Sequence, residues 1–190
     1  MIDGALARRI RLVGLDVDGV LTDGGLYIGR VGDHAVELKR FSIQDGLGLH
    51  LLHMAGVLVV LVSGRESEAT AIRAHELRVD ELIQDDRARK LPAFEGVLQR
   101  RAVRWDECAF VGDDLPDLPL LRRVALPIAV ANAVADVRSA AQVVTRATGG
   151  QGAVREVAEA LLRARGEWDA CLERYLHERG DVAQPSARSR

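Results

Sequence analysis

The chain has 190 residues, 48% of them hydrophobic and 28% charged, with a formal net charge of −2. That length supports one sizeable domain burying about 70% of its unfolded surface, and the near-neutral charge leaves no footprint for nucleic acid or an anionic membrane. The longest apolar run, Val57 to Val62, is too short to span a bilayer, the N-terminus lacks the apolar core of a signal peptide, and the two cysteines, Cys108 and Cys171, have no metal or redox spacing. A cytoplasmic protein with reduced core thiols is the expectation.

In chain order, "RLVGLDV" (11–17) reads as a first strand. It is followed at once by "GGLYIGRVGDHAVELKRF" (24–41), which alternates with period two around "RVGD" and reads as an inserted β-hairpin. "DGLGLHLLHMAG" (45–56) has helical spacing with Asp45 as a candidate cap, and "GVLVVLVSG" (56–64) reads as a strand buried on both faces. The stretches 66–78 and 89–103 are helical, "CAFVGDD" (108–114) is a strand, and "DLPLLRRV" (117–124) is a helix capped by Asp117. "LPIAVAN" (126–132) and "AQVVT" (141–145) complete the strands, and 155–176 is amphipathic. Strands alternating with helices imply an α/β fold with a Rossmann-like parallel sheet flanked by helices. The expected organisation is a single domain over 1–178, with the hairpin inserted at 24–41, and a flexible polar C-terminal tail at 179–190.

In open α/β sheets ligands gather at the carboxyl ends of the strands, and the chemistry-bearing residues fall there. The first strand ends in Asp16 and Asp18, the buried strand after the hairpin in Ser63-Gly64-Arg65, and the third in Gly112-Asp113-Asp114 with Asp117 close behind; Lys90 opens the helix before it. Two like charges about 4 Å apart repel by roughly 4 kcal/mol at an effective dielectric near 20. Crowded aspartates therefore need a cation or shared protons, and oxygen-only ligands suit Mg²⁺. A calcium loop fails on spacing, because Val20, Leu21 and Tyr27 stand where it needs an acid, a glycine and a glutamate. A plain solvated turn accounts for Asp18-Gly19 but not for a second acidic pair after another buried strand. His50 and His53, three apart on one helix, have no carboxylate at ligand spacing and read as core or surface residues.

"DVDGVLTDG", "VSGR", Lys90 and "GDDLPD" resemble, in order and strand placement, the four motifs of the haloacid dehalogenase-like (HAD-like) phosphatases. With "FSIQDGLG", "VGDDLPDLPLL", "GGQGAVREV" and a hairpin in place of a large cap, residues 11–165 resemble the 3-deoxy-D-manno-octulosonate 8-phosphate phosphatases. The resemblance implies a capless HAD-like fold, a Mg²⁺-dependent phosphomonoesterase of lipopolysaccharide precursor synthesis, and a homotetramer whose hairpins and C-terminal tails meet neighbouring subunits. It implies Asp16 as nucleophile, Asp18 as general acid and base, and Ser63 and Lys90 as partners of the phosphoryl oxygens. Asp16, the Asp18 backbone carbonyl and Asp113 are the implied metal ligands, with Asp114 and Asp117 orienting metal waters or Lys90. Gly64, Arg65 and Arg155 are the implied substrate contacts, with Arg65 pairing a sugar carboxylate. Gln151 stands where the family has arginine, and the glycines beside it suggest a segment that swings over a neighbouring site.

Simpler roles compete: Ser63 as a helix cap, Lys90 as a solvated lysine beside Arg87 and Arg89, Arg65 in an ion pair with Glu66 or Glu68. Competing functions are the same chemistry on a nine-carbon keto-sugar acid phosphate or on an aromatic phosphoester as a carboxylase-associated subunit. A receiver-like signalling module is the non-enzymatic alternative, but it carries adjacent acids after its first strand, whereas Val17 separates Asp16 from Asp18 here. An inactive assembly subunit would lack Asp16 or Asp18, and both are present.

Overall fold

The computed structural model describes residues 2–181. The short helix α1 (Gly4–Arg9), capped by the Asp3 side chain, leads into β1 (Leu12–Leu15), all of whose residues are buried. A tight turn over Val17–Leu21 precedes the hairpin of β2 (Tyr27–Val31) and β3 (His34–Leu38). Then follow α2 (Ile43–Met54), β4 (Leu58–Ser63), α3 (Glu68–Leu77), β5 (Glu81–Gln84) and α4 (Lys90–Arg101). β6 (Cys108–Gly112), α5 (Leu118–Leu121), β7 (Leu126–Ala129), α6 (Ala135–Ala140) and β8 (Val143–Val144) complete the alternation. Two amphipathic helices, α7 (Ala153–Arg165) and α8 (Trp168–Glu178), follow.

The main sheet is six-stranded, in the order β5-β4-β1-β6-β7-β8, and every pairing in it is parallel. Counting the sheet strands alone, this is the doubly wound order 3-2-1-4-5-6, with the chain reversing direction about β1. A receiver module uses a 2-1-3-4-5 order, so the topology removes that alternative. β1 pairs β4 on one side and β6 on the other, with Leu15 level with both Leu61 and Val111. The loops leaving those strands therefore open into one crevice.

Short apolar runs bury on both faces because helices cover both. Right-handed crossovers put α2 and α3 on one face and α4, α5 and α6 on the other. Phe94 of α4 packs edge-on against Phe110 of β6, centroids 5.8 Å apart, and Trp105 lies 5.7 Å from Phe94. Cys108 is buried in β6, and burial pushes its thiol up to about 12, an inert core group as expected.

Three elements escaped the sequence reading, the first being α1, with six residues. β5 has only four residues, all half-buried at the sheet edge, and α6 has six with one fully buried, Val137. Each is too short to display a period.

Asp45 is fully buried inside the first turn of α2, where the N-cap is Ser42. It caps a different helix: its carboxylate accepts from the Gly152 and Arg155 amides at the start of α7, at 3.2 and 2.8 Å. Burial raises its pKa and those backbone hydrogen bonds oppose the rise. Asp45→Ala is expected to lower unfolding free energy by about 1–2 kcal/mol in urea titrations, and an unchanged midpoint would deny the cap.

The segment expected to swing is instead part of the core. α7 packs on α2 and α1 and buries Ala153, Val154, Val157, Ala158, Leu161 and Leu162. The preceding glycines lie against the turn after β1; a Cβ on Gly149 would overlap the Gly19 carbonyl, and Gly150 has φ +64°. Deleting the chain after Gly149 would therefore remove core rather than a lid. α8 ends at Glu178, and residues 182–190 of the expected tail lie outside the described residues.

Candidate active site

The turn after β1 is the scaffold of the site. The Asp16 amide donates to Val111 O at 3.0 Å, continuing the ladder one residue past β1. The chain then bends through Gly19, whose φ of +93° is costly for any residue with a Cβ. A methyl group there would also overlap the Asp113 carboxylate. Thr22 Oγ1 accepts from the Gly19 and Gly24 amides, both at 3.2 Å, and closes the turn. Asn132, past β7, bridges it to the glycine segment: its amide donates to Gly19 O at 3.0 Å and its oxygen accepts from Gly149 N at 2.7 Å.

Asp16, Asp113 and Asp117 converge, each offering a carboxylate oxygen within 4.8 Å of the others. Lys90 reaches them from the start of α4, its Nζ 2.6 Å from Asp16 Oδ1 and 2.7 Å from Asp117 Oδ1. Its side chain is 4% exposed, so the solvated-lysine alternative is excluded. Asp117 spends both oxygens on the protein, because Oδ2 accepts from the Asp113 and Asp114 amides at 3.0 and 3.4 Å. It orients Lys90 and the loop after β6. Asp113 Oδ1 is buried without a hydrogen-bond partner among the described residues.

Three carboxylates face one ammonium. Burial drives Asp16 well above the usual carboxylate range, Asp117 adds to the rise, and Lys90 opposes it. Burial likewise pushes Asp113 up to about 6, with the Asp117 charge adding to it. For Lys90 burial works against the charge, but Asp16 and Asp117 outweigh it and raise the pKa. The cluster is thus short of positive charge, and an all-oxygen donor set with one orphaned oxygen fits a hard divalent cation held by Asp16 and Asp113.

That charge deficit gives a pH-dependent stability. A carboxyl whose pKa is raised on folding binds its proton more tightly in the folded than in the unfolded chain. Stability of the chelated chain should therefore fall as pH rises from the ordinary carboxylate range through about 6. Added Mg²⁺ should raise the melting temperature more at pH 7.5 than at pH 5, where protons compete for the same oxygens. Equal shifts at the two pH values would contradict this.

The other expected residues are placed as follows. Asp18 lies beside the cluster, but its side chain points to the hairpin, where Lys39 Nζ sits 2.7 Å from Oδ1. Ser63 is buried at the end of β4 and its hydroxyl is held inside its own turn, donating to Arg65 O at 2.9 Å and accepting from Arg65 N at 3.1 Å. It caps no helix; Ser67 caps α3. Gly64 lies against the loop carrying Lys90, and a Cβ there would be 3.0 Å from Ala88 Cβ. Arg65 donates to Glu37 of the hairpin at 3.0 Å rather than to Glu66 or Glu68. Arg155, in the first turn of α7, bonds Glu159 at 2.7 Å with its guanidinium 5.7 Å from the Trp168 ring. His53 pairs with Asp80 and His50 packs edge-on against Tyr175, so neither serves the cluster.

Lys39, Glu37 and Asn132 were not foreseen. The signal for the first two was present, since Glu37 and Lys39 alternate on one face of a strand, but nothing in the hairpin's sequence says what that face meets.

A crevice at the strand-order reversal, an aspartate at its centre and a lysine on that aspartate together define a HAD-like phosphotransfer site. A family model described as haloacid dehalogenase-like hydrolase matches residues 81–157, which hold Lys90, Asp113 and Asp117. The 3-deoxy-D-manno-octulosonate 8-phosphate phosphatase KdsC of Escherichia coli K12 is 41% identical over 165 residues, covering 87% of this chain and 86% of the relative. The Moraxella catarrhalis 3-deoxy-D-manno-octulosonate 8-phosphate phosphatase, solved with magnesium, phosphate and a KDO molecule, superposes with a TM-score of 0.85 at 37% identity, over 90% of this chain and 97% of that one. The cobalt-bound Haemophilus influenzae deoxy-D-mannose-octulosonate 8-phosphate phosphatase gives 0.80 at 33% identity, over 87% and 94%. This chain belongs to the haloacid dehalogenase-like hydrolases and, within them, to the 3-deoxy-D-manno-octulosonate 8-phosphate phosphatase family.

Proposed function

We propose that this chain is a Mg²⁺-dependent phosphomonoesterase that hydrolyses 3-deoxy-D-manno-octulosonate 8-phosphate to the free sugar acid and phosphate, in the cytoplasm, as a step toward lipopolysaccharide precursors. The observation that carries the chemistry is Asp16, held through Oδ1 by Lys90 at the carboxyl end of the central strand, beside the unpartnered oxygen of Asp113. The substrate reading rests on the relatives and on Arg65 at the crevice edge, a bidentate partner for a sugar carboxylate.

In the first step an Asp16 carboxylate oxygen attacks phosphorus, the bond from phosphorus to the sugar oxygen breaks, and Asp18 gives its proton to the departing oxygen. In the second, water attacks the aspartyl-phosphate, its proton passes to Asp18, and the phosphorus–Asp16 bond breaks to release phosphate. Lys90 neutralises charge on the phosphoryl oxygens and Ser63 donates to one of them, after its hydroxyl turns from Arg65 O. The Asp16 and Asp113 side chains and the Asp18 carbonyl would hold Mg²⁺, which when bound offsets phosphate charge. Gly64 lets the backbone approach Lys90 closely. For Arg155 to reach substrate, its guanidinium must leave Glu159 and Trp168.

We further propose that residues 1–178 form the catalytic domain and that it assembles as a homotetramer through the hairpin. Tyr27, Val31 and Leu38 are 57, 69 and 62% exposed, and beside Leu26 and Ile28 they line an apolar groove of about 490 Å³. Such a patch suits a second copy of the chain. Light scattering behind gel filtration tests the assembly; a monomer would refute it. No helix among the described residues is long and apolar enough to cross a membrane.

Steady-state kinetics over a panel of phosphate esters tests the substrate. The eight-carbon acid phosphate should give a higher kcat/KM than nine-carbon keto-acid phosphates or phenyl phosphate, and chelation should abolish turnover. A nine-carbon or aryl ester turned over best would overturn the substrate while leaving the chemistry.

A further inference from the structure

The hairpin presents its two faces to different surroundings. One carries Tyr27, Val31 and Leu38; the other carries Glu37 and Lys39, two apart at the end of β3 with Ile28 paired to Glu37, and its β3 end lies against α3 and the turn after β1. The Lys39 side chain is 0% exposed. Its Nζ donates to Asp18 Oδ2 at 3.0 Å and to Thr70 Oγ1 at 3.2 Å, with Asp18 Oδ1 at 2.7 Å and Glu37 Oε1 at 3.6 Å as ion-pair contacts. Glu37 is itself fixed, accepting from Ser67 Oγ at 2.7 Å and from Arg65 at 3.0 Å. The Ser67 hydrogen bond holds its carboxyl below the usual range.

We propose that Lys39 is a positioning residue for the phosphoryl-transfer reaction, fixing the Asp18 carboxylate at the place from which it serves the leaving oxygen. The inference deepens the proposed function, since it rests on Asp18 as the acid that protonates that oxygen. The geometry argues for positioning over substrate binding. The ammonium is already engaged by protein oxygens of Asp18, Thr70 and Glu37, and the side chain has no exposed surface to offer a ligand. A lysine stem left free would lose considerable rotamer entropy on gripping Asp18; Thr70 and Glu37 have already immobilised it. Asp18 is 28% exposed and within the described residues bonds no other side chain, so without Lys39 its rotamer is unrestrained.

A general acid matters only when the leaving group needs a proton. Breaking the bond to a sugar alkoxide requires that transfer, whereas p-nitrophenolate departs as a stable anion without it. The test compares kcat/KM, which reports the step that breaks the ester bond, for the eight-carbon acid phosphate and for p-nitrophenyl phosphate, using the full-length chain with Mg²⁺. Lys39→Met should lower kcat/KM on the sugar phosphate by about 10–100-fold and on the aryl ester by no more than about threefold. Lys39→Arg, which keeps the charge and the donors, should recover part of the loss on the sugar phosphate. Equal losses on both esters, or none on either, would overturn the proposal. Should Lys39→Met fail to fold, Thr70→Val loosens the same lysine while keeping its charge, and it must show the same bias at smaller size. An Asp18→Asn chain without leaving-group bias would sink the acid assignment itself, a failure separable from that of Lys39.

Discussion

Asp16→Asn is expected to lower phosphate-ester turnover by about 10⁴-fold or more while the chain still folds. The size follows from removing the attacking atom: an amide cannot form the aspartyl-phosphate, and only the polar surroundings of the site remain to catalyse a direct hydrolysis. A 10⁴-fold loss corresponds to about 5.5 kcal/mol of barrier. Folding should survive because Asn is isosteric and the substitution removes a charge that burial and Asp117 already disfavour. Lys90 keeps Asp117 at 2.7 Å as its counter-ion. Rapid-quench labelling measures the outcome, with trapped phosphoenzyme in the parent chain and none in the variant. Turnover within tenfold of the parent would remove the covalent mechanism. Mg²⁺ should also raise the melting temperature of the variant less, since one anionic ligand has been lost.

How far this site was readable in the sequence depended on whether a residue's partner is set by the backbone or by packing. Asp16, Asp113 and Lys90 were readable because each stands at the carboxyl end of a buried strand or at a helix start, and a doubly wound sheet gathers such positions at one edge. For Asp117 the resemblance leaves metal waters or Lys90 open, and the spacing also allows a cap of the next helix. Its side chain makes no cap hydrogen bond to α5 and instead bonds Lys90 at 2.7 Å and the Asp113 and Asp114 amides. Asp45 was read as a cap but assigned to its own helix; it caps α7 instead, more than 100 residues away in the chain. A buried carboxylate looks the same in sequence whichever helix start it meets. The same difficulty hid Lys39. Period-two alternation revealed the hairpin, whose strands Tyr27–Val31 and His34–Leu38 lie inside 24–41, but not which face would meet Asp18. The swinging glycine segment failed for a related reason. In a sequence a pair of glycines reads as freedom, whereas Gly149 and Gly150 are small so that the chain can lie against Gly19 and Thr22. The edge strand β5 had no periodic signal, because four half-buried residues present no clean alternation.

Lys90→Met should show how much of the fold depends on one ammonium. The side chain lies between Asp16 and Asp117 at 2.6 and 2.7 Å, itself 4% exposed, with the two carboxylates 9% and 0% exposed. Methionine keeps most of the volume and removes the charge, leaving Asp16, Asp113 and Asp117 crowded without a counter-ion. Breaking a buried ion pair from one side costs about 3–5 kcal/mol, because the remaining charge is uncompensated. That loss is expected in urea titrations of the chelated chain at pH 7.5. At pH 5 the loss should shrink: Asp16 and Asp113 already take up protons above the usual carboxylate range, and without Lys90 that tendency grows. Mg²⁺ should restore part of the stability by supplying the missing charge, but it should not restore turnover, which is expected to stay down by about 10²–10³-fold for want of the donor to the phosphoryl oxygens. Stability unchanged at pH 7.5 would mean that the carboxylates share protons rather than lean on Lys90, and the electrostatic account of the cluster would have to be rebuilt around Asp16 and Asp113 alone.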